Sequence, residues 1–294
     1  MKFWRSTLWV QAEDMTELAR IAEQNGYHGM VTSDHMVFFE QQLESRYPYS
    51  ADGEAWWNPA THWPDTWVSI GAMSAATDSL CFTNAVYILP LRDVFTVAKA
   101  VGTAAVMSGN RVALGVGIGW EWEEFDLMGQ DFRRRGRRCD EMIEVMRLLW
   151  RGGSVEFHGK FYDFDRLSMS PAPSDPVPIY ISGYSEPALR RAAQLGDGWI
   201  VGPVGDDAPY SWEDLPKLVE RVAELRHEAG REGLPFEIVQ PVWVTHDLDF
   251  FRYLEDCGVT SVSVIFGDPD SPPSLSTQRE QMAEFADKVI ANMG

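Results

Sequence analysis

Three short stretches carry residue types that could do chemistry. Asp34 and His35 stand where the apolar run Gly29 to Thr32 gives out, and an acid beside a histidine can handle a proton. A free imidazole titrates near roughly 6.5, so His35 is the candidate proton carrier and Asp34 the carboxylate that can orient it; a histidine merely satisfied in its loop is the plainer reading. In NRVALGVGIGWEWEEF, Val112, Leu114 and Val116 alternate with Ala113 and Gly115 as in a buried strand that runs into Gly117, Ile118 and Gly119. Side chains nearly vanish there, so backbone amides can come close to a ligand, although a tight strand-to-helix turn would use the same glycines. The spacing is not that of the dinucleotide fingerprint. Glu121, Glu123 and Glu124 then suit the first turn of a helix. Gly183, Tyr184 and Ser185 follow the run PIYIS, and the amide-rich start of the next helix is either a phosphate site or a plain cap by Ser185.

The elements needed to hold these stretches are legible as alternating patterns. Strands are expected near residues 4, 30, 84, 114, 180, 200, 240 and 263. Helical spacing follows most of them: Asp14 to Asn25, Pro64 to Thr77, Val94 to Met107, about Arg138 to Trp150, a helix opening at Ser185, one from Leu215 to Gly230, one from Leu248 to Cys257, and Gln278 to Asn292. Two insertions stand out. Residues 36 to 63 share no period but hold Tyr47, Tyr49, Trp56, Trp57 and His62, which fits an ordered loop covering a substrate, with Trp56, Trp57 and His62 as pocket walls. SVEFH and KFYDF around Gly159 read as a β-hairpin. Eight strands alternating with helices fit a closed parallel α/β barrel, a (β/α)8 TIM barrel, better than a doubly wound sheet, and a barrel places its active face at the strands' carboxyl ends.

The bulk numbers agree with one such barrel over residues 1 to 294, with 45% hydrophobic and 12% aromatic residues. No run has the roughly 20 apolar residues of a membrane span, and the amino terminus lacks the pattern of a signal peptide. A net charge of −19 disfavours nucleic acid. Arg133, Arg134, Arg135, Arg137 and Arg138 form the one dense basic run, expected to be a solvated helix start paired locally with Asp131, Asp140 and Glu141, with an anion site as the alternative. Cys81, Cys139 and Cys257 are too scattered for a disulfide framework or a cysteine metal site, so free thiols in a cytoplasmic protein are expected, with no metal.

Taken together, SDH at 33 to 35, LCFTNAVYILP at 80 to 90, AKAVGTAAVMSGNRVALGVGIGW at 98 to 120, RRRGRRCDEMIEVMRLLW at 133 to 150 and PIYISGYSEPALRRAAQLGDGWI at 178 to 200 resemble the bacterial luciferase-like superfamily. The branch resembled is that of coenzyme F420-dependent oxidoreductases, and the resemblance covers nearly the whole chain in order. It implies a barrel that holds a flavin or deazaflavin at the strand carboxyl ends, usually in a homodimer, acting on a small-molecule substrate. By position, Asp34 and His35 match the acid–histidine pair beside the ring. Ala85 and Val86 match a strand bulge with a non-prolyl cis peptide, where Thr83, Asn84 and Ala85 interrupt a bulky strand. Gly117, Ile118 and Gly119 match the turn near the cofactor's polar chain, and Gly183, Tyr184 and Ser185 the phosphate loop. Trp120 stands where glucose-6-phosphate dehydrogenases of the branch place a glutamate, which argues against a sugar phosphate and puts Trp120 among the substrate-facing residues. The implied function is hydride transfer between F420 and a small organic substrate; an FMN-dependent monooxygenase and a non-catalytic flavin-binding protein are the alternatives.

Overall fold

The computed structural model describes residues 1–41, 43–50, 52–205, 208–267 and 272–293. Of the long loop, Gln42 and Ala51 lie outside the described residues.

Its nine barrel segments are β1 (Lys2–Ser6), β2 (Gly29–Thr32), β3 (Cys81–Asn84), β4 (Tyr87–Ile88), β5 (Leu114–Gly117), β8 (Ile179–Ser182), β9 (Gly198–Ile200), β10 (Glu237–Trp243) and β11 (Ser261–Ile265). They pair in the order β3-β2-β1-β11-β10-β9-β8-β5-β4, every pair parallel. β3 and β4 are two halves of one stave, so the expected eight strands are present. The ring closes where Phe82 bridges to Val112 and, farther along, Tyr87 and Ile88 pair with Val116 and Gly117. The stave is interrupted at Ala85–Val86, whose peptide is cis, as the family resemblance implied.

Around the sheet run α1 (Met15–Gln24), α2 (Thr66–Ala75), α3 (Val94–Ser108), the short α4 (Trp122–Leu127), α5 (Arg135–Trp150), α6 (Glu186–Leu195), α7 (Leu215–Glu228), α8 (Leu248–Asp256) and α9 (Leu275–Phe285). The helix starts are set by side chains that accept the orphan amides of the first turn. Asp65 accepts from Trp67 and Val68 at α2, Asp93 from Thr96 at α3, and Asp247 from Asp249 and Phe250 at α8. The apolar faces of these helices bury Leu18, Ile21, Val97, Met142 and Phe251 against the strands, and this shell forms the main core. A second, smaller cluster of Ala113, Tyr180, Ile200 and Val239 fills the barrel, with Ala85 and Val86 packed on it. No helix among the described residues is long and apolar enough to cross a membrane. Cys81, Cys139 and Cys257 are free thiols.

Two boundaries differ from expectation for visible reasons. The hairpin strands are β6 (Ser154–His158) and β7 (Asp163–Ser168), so the second begins three residues beyond Lys160. Glu141 of α5 accepts the amides of Lys160, Phe161 and Tyr162, which commits them to the turn and keeps them out of the ladder. α5 starts at Arg135 rather than Arg138, because Asp131 accepts the Arg133 amide and opens a 3-10 turn that leads straight into it.

Candidate active site

At the carboxyl ends of the strands a cavity of about 520 Å³ opens, within the usual range for small-molecule and cofactor sites. Its floor is the Ala85–Val86 bulge, which rests on the barrel-filling cluster. Asn84, fully buried just before the bulge, donates to the hydroxyls of Thr32 (2.8 Å) and Thr66 (2.7 Å). The Ala85 amide reaches Thr32 O at 2.8 Å, so the bulge is tied to β2 on its buried side.

The glycines of β5 explain how the bulge fits. A Cβ on Gly115 would lie 1.7 Å from Asn84 O, and one on Gly117 would lie 2.3 Å from Val86 Cγ2. Gly119 has φ +77°, and a Cβ there would lie 2.7 Å from Phe125 Cε2 and 2.8 Å from Ile88 Cγ2. The sequence suggested glycines cleared for a ligand. Their Cβ positions are instead taken by protein atoms, because the neighbouring stave bows into the space that side chains would fill. Gly117, Ile118 and Gly119 still line the cavity with main chain beside that bowed stave.

Asp34 and His35 both reach the site but do not act on each other. Asp34 accepts a bidentate pair from Arg92, at 2.5 and 2.7 Å, and the Ile88 amide at 2.9 Å. It therefore braces β2 against the segment after the bulge, and the expectation that it orients His35 does not hold. Neighbours at a strand end point to opposite sides, so the carboxylate and the imidazole diverge. His35 turns Nδ1 toward two other acids, Glu124 at 3.4 Å and Glu121 at 3.8 Å. Glu124 also accepts the Met36 amide at 2.7 Å. In the tautomer that places the proton on Nδ1, toward the carboxylates, Nε2 is an acceptor. All three side chains are at least nine-tenths buried. Burial, and then the charge of Glu124, push the Glu121 carboxyl up to about 7, against the opposing pull of His35. Glu123 turns away, and its carboxylate takes the Glu44 and Ser45 amides of the long loop.

That loop supplies an aromatic wall. Trp57 lies 4.7 Å from the His35 ring, Trp63 5.2 Å and Trp120 6.3 Å, centroid to centroid. Trp56, Tyr47 and Tyr49 extend the wall. His62 does not: its Nδ1 accepts the Ala12 amide at 3.1 Å, outside the cavity, and Trp63 takes the place expected for it.

On the opposite side Gly183, Tyr184 and Ser185 line the cavity ahead of α6. Gly183 O accepts from Trp199 Nε1 at 3.0 Å, and Tyr184 donates its hydroxyl to Pro203 O. Ser185 occupies the cap position, yet its side chain makes no capping bond. Arg133, Arg134 and Arg137 are exposed, as expected of a solvated run, but Arg135 reaches the cavity: Nε donates to Gly119 O at 3.0 Å and Nη1 to Phe132 O at 2.9 Å. The local acids are not its partners. Asp131 opens the 3-10 turn, Asp140 pairs with Arg191, and Glu141 holds the hairpin. Burial, and then Arg191, lower the Arg135 pKa.

Sequence reasoning missed Glu121 and Glu124 as site groups, as well as Trp63 and Arg135. The signal for the first two was their spacing of three, which puts both on one face of a helix.

Comparison with known proteins places this geometry. The family model described as luciferase-like monooxygenase matches residues 4–248. An uncharacterized protein of Mycobacterium tuberculosis (strain ATCC 25618 / H37Rv) is 40% identical over 294 residues, covering 96% of this chain and 98% of the relative. The F420-dependent glucose-6-phosphate dehydrogenase of Nakamurella multipartita is 28% identical over 248 residues, covering 83% of this chain and 66% of the relative. A solved F420-dependent secondary alcohol dehydrogenase, in complex with an F420–acetone adduct, superposes with a TM-score of 0.77 at 18% identity, covering 100% of this chain and 99% of that one. The chain belongs to the luciferase-like monooxygenase family.

Proposed function

We propose that this protein is an F420-dependent oxidoreductase that moves a hydride between the deazaflavin and a small organic substrate. The observation that carries the reading is the cavity floor, where the Ala85–Val86 bulge, tied to β2 through Thr32 and lying beside Gly115 and Gly117 of β5, offers main chain to a planar ring. The remaining walls fit the rest of such a cofactor. Gly117 to Gly119 offer main chain to its polar chain, while the uncommitted Ser185 hydroxyl, the amides at the start of α6 and the Arg135 guanidinium suit a phosphate. The cofactor, when bound, supplies the two-electron hydride chemistry.

The chain's own residues then bind, orient and manage one proton. His35 Nε2 takes or returns the substrate's proton, and Glu124 and Glu121 behind Nδ1 stabilise the imidazolium formed when it does. Glu121, near half-protonated at neutral pH, is a local store for that proton. The tryptophan wall excludes water from the substrate side. Asp34 and Arg92 brace the end of β2 against the segment after the bulge.

Equilibrium titration with F420 and with FMN, each followed by its own fluorescence, tests the reading. F420 should bind at least about tenfold more tightly, and His35→Ala should leave its affinity within about threefold, since His35 handles the proton rather than the cofactor. Tight FMN binding with none for F420 would replace this reading by an FMN-dependent monooxygenase.

A further inference from the structure

Charge in the substrate half of the cavity does not balance. Asp34 and Arg92 neutralise each other in a bidentate pair. Glu121, Glu123 and Glu124 remain on one turn of α4 and the residue before it; His35 faces Glu121 and Glu124, and Arg92, besides its pair with Asp34, feels Glu124, so with Glu121 ionised the acids still outnumber the bases among the described residues here. Arg135, which also lines the cavity, makes its bonds to Gly119 O and Phe132 O and is not salt-bridged to these acids among the described residues. The Glu123 carboxylate lies below its ordinary range; burial opposes this, and hydrogen bonds from Ser45 and Glu44 outweigh it. The field around His35 is therefore negative, and it lies behind a wall of aromatic faces.

His35 adds a direction to this field. Its side chain is 9% exposed and lines the cavity, and Nδ1 is engaged with the acids. Nε2, on the far side of the ring, makes no hydrogen bond among the described residues. In the Nδ1-protonated tautomer the cavity-lining His35 thus offers an acceptor nitrogen, with Trp57, Trp63 and Trp120 packed around its ring and Glu124 and Glu121 behind it. An alcohol gains one hydrogen bond in such a place and nothing from the charge, and a carbonyl, which has no donor, gains neither. A phosphate or carboxylate is repelled. An N–H⁺ group gains the hydrogen bond, the cation–π attraction of the indoles and the field of the acids together.

From this juxtaposition we infer that the substrate of this site carries a protonated nitrogen, an amine of the ammonium class held by its N–H on His35 Nε2 within the Trp57, Trp63 and Trp120 box. The proposal rests on the oxidoreductase reading for what happens next, but the recognition is a property of these side chains alone. A divalent metal on His35, Glu121 and Glu124, whose ligating atoms lie within 4.8 Å of one another, is the competing use of the same charge. The neighbours on the cavity side are indole rings rather than oxygen donors, and this favours an organic cation.

The test is a pair of probes of one shape, benzylamine and benzyl alcohol, titrated at about pH 8, where the amine is still protonated and Glu121 is ionised. Tryptophan fluorescence reads binding, in the absence and in the presence of F420. The protonated amine should bind at least about tenfold more tightly than the alcohol. In Glu121→Gln the preference should shrink to less than about threefold, and Trp63→Leu should weaken the amine more than the alcohol, with circular dichroism confirming that each variant is folded. Equal or tighter binding of the alcohol to the unsubstituted protein, binding of neither probe, or displacement of benzylamine by Mn²⁺ would each overturn the proposal. F420 titrated in parallel separates the two readings. Binding of F420 without amine preference sinks only this inference, and amine preference without F420 binding sinks only the proposed function.

Discussion

Glu121 is the residue at which folding and function pull apart. Its carboxyl is moved from the ordinary 4.5 to about 7, so between those values the folded chain holds a proton that the unfolded chain has lost. Stability from this group is therefore fully present below about pH 4.5 and is lost as pH rises through 7, where the buried carboxyl must ionise beside Glu124. Glu121→Gln removes that penalty. It should raise stability at pH 8 by roughly 1–2 kcal/mol, a value discounted for solvent in the cavity, and should change it little at pH 4.5. Urea unfolding at the two pH values checks this; an equal effect at both would show that Glu121 is not the titrating group. The residue scale is also where the sequence was hardest to read. His35 was visible because histidine is the side chain that titrates near neutrality, but its partners were not. Asp34 looked like the partner because it is adjacent in sequence, whereas the acids that face His35 come from a turn nearly ninety positions away. Trp63 was hidden for the same reason, since periodicity says nothing about which way a residue faces in an aperiodic loop.

At the scale of elements, the closing stave decides the site. β3 and β4 are pushed apart at Ala85–Val86, and β5 can lie beside them because Gly115 and Gly117 leave the room. Gly115→Ala would place a methyl 1.7 Å from a backbone oxygen that the Asn84 network holds in place. Its expected cost is about 3 kcal/mol or more, with loss of cofactor affinity, because the bulge must shift. Gly71, in α2, is the control: its Cβ position is open, and Gly71→Ala should stabilise by about 0.5–1 kcal/mol. Urea midpoints of the two variants moving in the same direction would contradict this account of the stave. Strand order and helix positions were readable because hydrophobic period is a local property. The purpose of the glycines was not, because it depends on a stave about 30 residues earlier in the chain.

For the whole molecule, eight staves with helices outside bring the candidate stretches at 33–35, 85–86, 117–120 and 183–185 to one cavity at the strands' carboxyl ends, and the alternation of elements was enough to anticipate that end. The family match covers residues 4–248, which include the stretches that build the cavity floor and the proposed cofactor side. The loop between β2 and α2 supplies most of the aromatic wall, and its lack of period is what the sequence showed of it. The most direct test of the central claim is a crystal structure of the protein with F420 bound. The account predicts the deazaflavin ring lying on the Ala85–Val86 peptide, the phosphate against Gly183 to Ser185 and Arg135, and His35 on the substrate side of the ring. A ring seated anywhere other than on that peptide, or a phosphate held away from Ser185 and Arg135, would contradict it.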